Sequence, residues 1–382
     1  MTSVRPVWAE VDLGAVRHNT ARLAAQARPA VLCAVVKAHA YGHGPVPVSK
    51  AVLEAGATWL AVALVEEGAV LRDAGIEAPV LLLSEPPPEA MDEVVALGLT
   101  PTVYTAEGLE ALAAAAARWR PASAPGKERR PLAVHVKVDT GMHRVGAAPA
   151  DAVKLGLAVR DRPELDLEGL WTHLATADAP DNPFTSEQLG RFAATLDELS
   201  EVAGRPRLVH ACNSAAMLTR PEGHHDMVRC GITIYGQAPS PVLAPALGLR
   251  PVLSLRARVS QVKEVAPNEG ISYGLRYRPA HTATVATVPI GYADGVPWRL
   301  GVTGGEVLIG GRRRPIAGAV TMDQVLVDCG DDRGVRPGDD VVLLGAQGGE
   351  SIGPWEWAER VGTIAYDVLC GIGPRVPRTY LG

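Results

Sequence analysis

No two of the five cysteines form a CxxC pair, and Cys33, Cys212, Cys230, Cys329 and Cys370 are odd in number and widely spaced. Neither a disulfide framework nor a zinc site is signalled, and small buried apolar residues are the simplest reading of all five. Charge of one sign is missing too. The 37 basic and 42 acidic residues are mixed along the chain to a net charge of −5, which leaves no basic face for nucleic acid and no acidic tail. Long apolar runs are also lacking. The longest, such as LAVALV at 60–65, are strand-sized, and MTSVRPVWAEVDL has no basic-then-apolar signal pattern. These absences predict no membrane association, a cytoplasmic location, and small molecules or a second copy of the chain as partners.

What is present is enough apolar residue for full cores, 47% over 382 positions, and a length that suits two domains. Between about 12 and 235, apolar β-branched strings alternate with stretches rich in Ala, Leu, Glu and Arg, the pattern of parallel strands joined by crossover helices. Strands are predicted near 31–36, 59–65, 79–83, 100–104, 132–139, 166–173, 207–213 and 227–235. Eight such strands within roughly 250 residues point to a (β/α)8 barrel over 10–240. Helices are predicted over 12–27, opened by Asp12 as N-cap, and over 185–203, where Thr185 and Gln188 have capping-box spacing.

The prolines and glycines of GQAPSPVLAPALGLRP (236–251) mark a boundary. Beyond it, short alternating strings such as TATVATVPI and DDVVLLG, set between Gly, Pro and Asp, predict a mostly antiparallel β domain over 241–382. VWAEVD near the N-terminus alternates in the same way, so residues 1–9 are assigned to that second domain. The basic, proline-rich RWRPASAPGKERRP (118–131) reads as a solvated loop.

The apolar run AVVK (34–37) ends in a lysine, followed by a tyrosine, histidines and two glycines in AHAYGHG. In a (β/α)8 barrel the catalytic groups project from the carboxyl ends of strands. Lys37, Lys137, Asp139, Arg144, His173, Asn213 and Ser214 fall at or just beyond predicted strand ends, and Arg229 with Gly231 lies on the eighth predicted strand. Each alone has an ordinary explanation as a solvated charge or a turn residue, and together they outline one rim. A lysine reacts with carbonyls as the neutral amine, a form favoured by burial and by nearby cations such as Arg144 and Arg229. That chemistry suits pyridoxal phosphate, which needs a lysine, a phosphate cradle and a partner for its ring nitrogen. Tyr41, Ser214 and the backbone N–H groups around Gly231 and Ile232 are candidates for the cradle.

AVVKAHAYGHG, KVDTGMHRVG, WTHLATAD, NSAA, MVRCGITIYG, GISYG, VPIGYADG, TMDQ and GTIAYDVLCGIGPRVPRTY run in this order from 34 to 380. In them the chain resembles bacterial alanine racemase, a pyridoxal-phosphate enzyme with a barrel, a C-terminal β domain and active sites shared across a homodimer. The resemblance implies interconversion of L- and D-alanine, an isomerase activity that supplies D-alanine for peptidoglycan. It makes Lys37 the Schiff-base lysine and Tyr273, from the other subunit, the second base, with the lysine serving the D-isomer and the tyrosine the L-isomer. Bases on opposite faces are what racemisation demands. An unperturbed phenol titrates near 10, and the resemblance implies that His173, linked to Arg229, assists it.

The resemblance sets Arg229 at the ring nitrogen. An arginine there donates but cannot protonate the nitrogen, which keeps carbanion charge near the α-carbon and disfavours transamination. Arg144 would bond the cofactor's phenolic oxygen and the substrate carboxylate. Met322 and Asp323 would hold that carboxylate from the partner subunit. Tyr366 would be a second phosphate-binding tyrosine, Asn213 a cofactor contact, and Tyr292 would line the entrance. Lys137 matches a lysine carbamylated in many members, with a plain structural lysine as the alternative.

His39, His143, Cys230, Thr321 and Ala365 depart from residues usual in the family, and none of them removes a catalytic group. Three other readings compete. An amino-acid decarboxylase would carry a glutamate at the ring nitrogen, a pyridoxal-phosphate homeostasis protein would be a barrel alone, and a broader racemase would differ only in pocket width.

Overall fold

The structure, a computed structural model, describes residues 5–119, 130–246 and 248–382, without the side chains of 244–246. Most of the basic segment 118–131 therefore lies outside the described residues. The chain divides into two compact units. One holds Val16–Ala40 and Pro45–Leu249; the other holds residues up to Ala15, Tyr41–Gly44 and Arg250–Gly382.

Strand β1 (Val7–Asp12) comes first and belongs to the second unit. In the first unit follow β2 (Val31–Val35), β3 (Ala57–Val62), β4 (Val80–Leu82), β5 (Thr102–Val103), β6 (Leu132–Lys137), β7 (Leu165–Trp171), β8 (Leu208–His210) and β9 (Met227–Cys230). They form two parallel four-stranded arcs, β4-β3-β2-β9 and β5-β6-β7-β8. Backbone bonds join the arcs at both seams. Leu82 N and Thr100 N donate to Thr100 O and Val80 O, and Asp226 N and Arg229 N donate to Val209 O and Cys212 O. The result is the closed eight-stranded parallel barrel that the alternation predicts. Its strands are shorter than expected because residues past each strand end leave the ladder to build loops. Strands buried on both faces explain the continuous apolar runs. Val134, Val136, Leu170 and Val209 are fully buried and pack with Leu112, Val159 and Phe192 of the surrounding helices.

Helix starts follow side-chain chemistry. Asp12 Oδ1 accepts from Ala15 N at 2.8 Å, opening helix Leu13–Ala27, and Thr105 Oγ1 caps Gly108 N at 2.9 Å, opening Ala106–Arg118. The expected capping box at Thr185 does not form. Helix Phe184–Ala203 begins after Pro183, Thr185 Oγ1 bonds Thr176 Oγ1, and the Gln188 amide is drawn to loops outside the helix, where it has three partners.

In the second unit β10 (Leu253–Arg258), β11 (Gln261–Val265), β12 (Ala283–Val288), β13 (Glu306–Ile309), β14 (Arg312–Pro315), β15 (Val325–Asp328), β16 (Asp340–Gln347), β17 (Glu350–Ile352) and β18 (Arg378–Leu381) complete the set. One sheet runs β14-β13-β16-β10-β1-β18 with β17 beside β16; the other runs β11-β12-β15. Every pairing is antiparallel except β1 with β18. No helix among the described residues is long and apolar enough to cross a membrane.

Candidate active site

Lys37 stands two residues past β2, at the start of an uncommon backbone turn. Ala38, His39, Ala40 and Tyr41 have φ of 52°, 55°, 53° and 52°, four successive non-glycine residues in the left-handed region. That conformation costs roughly 1–2 kcal/mol per residue, and such strain persists only where surroundings impose it. Ala40 N bonds Val36 O at 2.9 Å, and Ala38 N bonds the Glu67 carboxylate at 2.6 Å. The two glycines that follow also have a steric reason. At Gly42 (φ 81°) an added Cβ would lie 2.5 Å from Leu369 O, and at Gly44 (φ 97°) it would strike the Tyr380 ring.

Arg229, in β9, is 3% exposed. Its Nη2 donates to Thr172 O (2.8 Å) and Ala211 O (3.0 Å), its Nη1 to His210 Nδ1 (2.7 Å), and Nη2 also lies 3.4 Å from His173 Nδ1. Among the described residues no hydrogen bond engages its Nε. Burial pushes the guanidinium down to about 10, so it stays charged at neutral pH. A guanidinium only donates, so His210 accepts at Nδ1 and carries its proton on Nε2. That proton points to His135 Nδ1 at 2.9 Å, and His135 Nε2 reaches Glu168 at 3.3 Å. Burial, then Arg229, hold His210 well below its ordinary value. A neutral two-imidazole chain thus runs from Arg229 to Glu168, which also pairs with Arg207. Trp171 lies under both cations, its ring centroid 4.6 Å from the Arg229 guanidinium and 4.2 Å from Lys137 Nζ.

Lys137 ends β6 and is buried. Desolvation, then Arg229, Arg144 and Lys37, push its amine down to about 7, with Asp139 opposing. His173, just past β7, is held well below its ordinary value by burial and then by Arg229, Arg144, Lys137 and Lys37. The same four cations therefore act on one imidazole. Arg144 itself is exposed, on a loop shaped by Asp139, which accepts from Gly141 N (2.9 Å) and His143 N (3.0 Å). Burial opposes the Asp139 charge, but those N–H groups and His143 outweigh it and lower the carboxyl. His143 takes the turn at φ 55°, in the left-handed region.

Past β8, Asn213 caps helix Ser214–Thr219, its Oδ1 accepting from Ala215 N and Ala216 N. Ser214 Oγ accepts from Gly231 N at 2.9 Å and from Thr233 Oγ1 at 3.1 Å, so Ser214, Gly231 and Ile232 come together as a buried polar corner. Gln188 ties two of the loops together, binding Thr140 Oγ1, His173 O and Ala175 N.

In the β unit, Tyr273 opens a short turn after Ser272 (φ 62°) and is 76% exposed. Met322 is exposed as well, and Asp323 pairs with Arg375 at 2.6 Å. Gly291 lies against the carbonyls of Thr321 and Met322, close enough that any Cβ would collide. Tyr292 N and Ala293 N bond those same carbonyls at 3.0 and 3.1 Å, which sets GYADG beside TMDQ. Buried Asp294 fastens this corner through Arg5 (2.7 Å) and Arg375 (3.2 Å). Tyr366 and Tyr41, both in this unit, have ring centroids 6.2 Å apart.

Reasoning from sequence missed Glu67, His135 and His210, and it read Gln188 only as a helix-capping residue. The two histidines carried a signal, since each interrupts an apolar barrel strand (VHV and LVH) where a polar ring needs a partner. Cys33, Cys212 and Cys230 are buried thiols pushed up to about 12, too high to act as nucleophiles.

Residues 11–239 match the family model for the alanine racemase N-terminal domain, and residues 252–380 match that for its C-terminal domain. Among curated proteins, the alanine racemase of Symbiobacterium thermophilum is 47% identical over 100% of this chain and 99% of its own, and that of Desulfovibrio desulfuricans is 41% identical over 99% and 98%. Among solved structures, an alanine racemase from a D-cycloserine-producing Streptomyces lavendulae superposes with a TM-score of 0.92 at 40% identity, covering 100% of this chain and 98% of its own. One from Bacillus anthracis with bound L-Ala-P superposes at 0.90 and 39% identity, covering 100% and 96%. A parallel barrel and an antiparallel β unit in one chain, matched over their full length by these relatives, place the protein among isomerases that act on amino acids. The chain belongs to the alanine racemase family, and its reaction is the racemisation of alanine.

Proposed function

We propose that the chain racemises alanine with pyridoxal phosphate, by two bases, in a homodimer whose sites take Lys37 from one subunit and Tyr273 from the other, and that the D-alanine serves peptidoglycan synthesis. The carrying observation is the basic cluster at the barrel strand ends, where the Arg229 guanidinium and the Lys137 amine lie 4.6 and 4.2 Å from the Trp171 ring centroid and His173 Nδ1 lies 3.4 Å from Arg229, with the charges of Arg144 and Lys37 also felt at His173. That donor set fits a ligand with several negative charges: phosphate, phenolate and carboxylate. When bound, the cofactor supplies an aldehyde for an amine and a conjugated ring that takes up the electron pair left by the α-proton.

The chain's own residues do the rest. Ser214, Gly231, Ile232, Tyr41 and Tyr366 would hold the phosphate, with Asn213 ordering the helix start beside it. Arg229 would offer its Nε–H to the ring nitrogen; fixed by two carbonyls and a neutral His210, it has no proton to give away at neutral pH. Arg144 would meet the phenolic oxygen and the substrate carboxylate, with Met322 and Asp323 of a second copy on the other side of that carboxylate. Lys37 would move the proton on one face of the α-carbon and Tyr273 on the other. His173, whose Nδ1 faces Arg229 at 3.4 Å, would turn Nε2–H to the tyrosine oxygen and stabilise it when it gives up its proton.

Lys137, with its amine pushed down to about 7, would add to carbon dioxide: nitrogen bonds carbon, one proton leaves, and the resulting anion orients Arg144. Because the neutral amine is the reacting form, carbamate occupancy should rise as pH passes about 7, not near 10 as for an ordinary lysine. Carbon-13 NMR of enzyme given labelled bicarbonate reads this directly; no carbamate signal at pH 8 would leave Lys137 a structural lysine.

The overall test is a visible spectrum of the purified protein followed by L-alanine and a chiral assay. A bound-cofactor band with D-alanine formation supports the proposal; D-alanine made with the cofactor fully removed would refute it.

A further inference from the structure

We propose that Glu67 is a positioning residue for Lys37: its carboxylate clamps the left-handed turn beginning at Ala38 and so fixes where the lysine amine is presented. This deepens the proposed function and rests on Lys37 being the amine that holds the cofactor.

Glu67 is the third residue of helix Val65–Asp73. One oxygen, Oε2, accepts from Ala63 N at 2.8 Å and Leu64 N at 3.2 Å, the return bonds by which a third-position glutamate closes a helix start. A cap needs nothing more. The other oxygen, Oε1, leaves the helix and accepts from Ala38 N at 2.6 Å, the shortest of the three. Ala38 follows β2 and Ala63 follows β3, and those strands are paired neighbours. One carboxylate therefore clasps two adjacent strand exits, and the helix N-terminus favours its negative charge.

The turn depends on such a clasp because its own residues do not favour it. L-residues avoid this backbone region, and the methyl side chains of Ala38 and Ala40 offer no hydrogen bond to hold it. In its first half Ala38 N donates to Glu67 and Ala40 N donates to Val36 O. Without the first, Ala38 is free to relax toward ordinary backbone, and Lys37, one residue earlier, swings with it. Displacement of a reacting group by about 1 Å costs on the order of 10²-fold in rate.

The test uses the full-length enzyme and three forms: Glu67→Gln, Glu67→Ala, and Leu64→Ser combined with Glu67→Ala. In the last, a serine hydroxyl restores a helix cap at an exposed position. Four quantities are read: amide hydrogen exchange at 38–41 without cofactor, the rate at which borohydride fixes pyridoxal phosphate to the Lys37 peptide, kcat, and the thermal midpoint. The two alanine forms should exchange faster at 38–41 and lose about 10- to 100-fold in both cofactor fixation and kcat, while the recapped form regains its thermal midpoint alone; Glu67→Gln, with one acceptor oxygen for two duties, should keep the clamp only where it gives up the helix cap. If recapping also restores exchange protection and kcat, Glu67 is only a helix cap and the proposal fails. If the unaltered enzyme fixes no cofactor at Lys37, the reading of the lysine fails, and unchanged exchange at 38–41 in the variants would then overturn the clamp independently.

Discussion

Replacing Lys37 by alanine should remove the visible band that forms when pyridoxal phosphate is added and lower racemisation by about 10⁴-fold, the upper range for a lost acid–base group. The expected result for Lys37→Arg is the same, and it is the more informative variant. Arginine keeps the positive charge and much of the length, so it satisfies any purely electrostatic role. It cannot present a neutral nitrogen at any pH the enzyme survives. Lys37 is only half-buried and stands past the end of β2, outside the barrel core, so neither substitution opens a cavity and thermal stability should hold. An arginine variant that retained the band or measurable turnover would mean that another amine does the chemistry, and Lys137, pushed down to about 7, would be the first to examine.

Tyr273→Phe deletes one oxygen from a residue that is 76% exposed, so the chain itself should fold within about 0.5 kcal/mol of its normal stability. Racemisation should nevertheless fall by about 10²- to 10⁴-fold. The two directions cannot be separated by kcat/KM, because L- and D-alanine have equal free energy in water and the two values must remain equal in any variant. The roles separate in half-reactions. With Lys37 intact, the variant should still exchange the α-proton of D-alanine with solvent deuterium while exchange from L-alanine is lost. Equal exchange of both enantiomers would show that one group serves both faces, and the division of labour between Lys37 and Tyr273 would be wrong.

The barrel could be read in the sequence because parallel strands buried on both faces are written as unbroken apolar runs, and only such runs separated by helix-length segments give that alternation. The β unit could be read for a complementary reason, since strands with one buried face alternate. Strand ends were less legible. HACN past β8 and GITIY past β9 look like continuing strand, yet Asn213 turns to cap a helix and Gly231 turns to Ser214. The Thr185–Gln188 pair shows the same limit from the other side: the spacing is right for a capping box, but three loop partners compete successfully for the Gln188 amide.

Residue type and order determined which reactive groups the chain has to offer: an amine after one strand, guanidinium groups after and within others, and a phenol far along in a second unit. Those are properties of side chains, and no fold alters them. Tertiary structure decided the charge and aim of those groups. Lys137 becomes a near-neutral amine because burial and three cations meet at it, and His173 and His210 stay uncharged because their own burial, and then the charge of Arg229 beside them, disfavour the imidazolium. The left-handed turn at 38–41 is likewise absent from any local preference of Ala, His, Ala and Tyr, since each favours negative φ. A carboxylate 29 residues away supplies the bond that the turn lacks. Local sequence carries short-range preferences and side-chain chemistry; desolvation, mutual repulsion and imposed backbone strain exist only once distant segments are brought together.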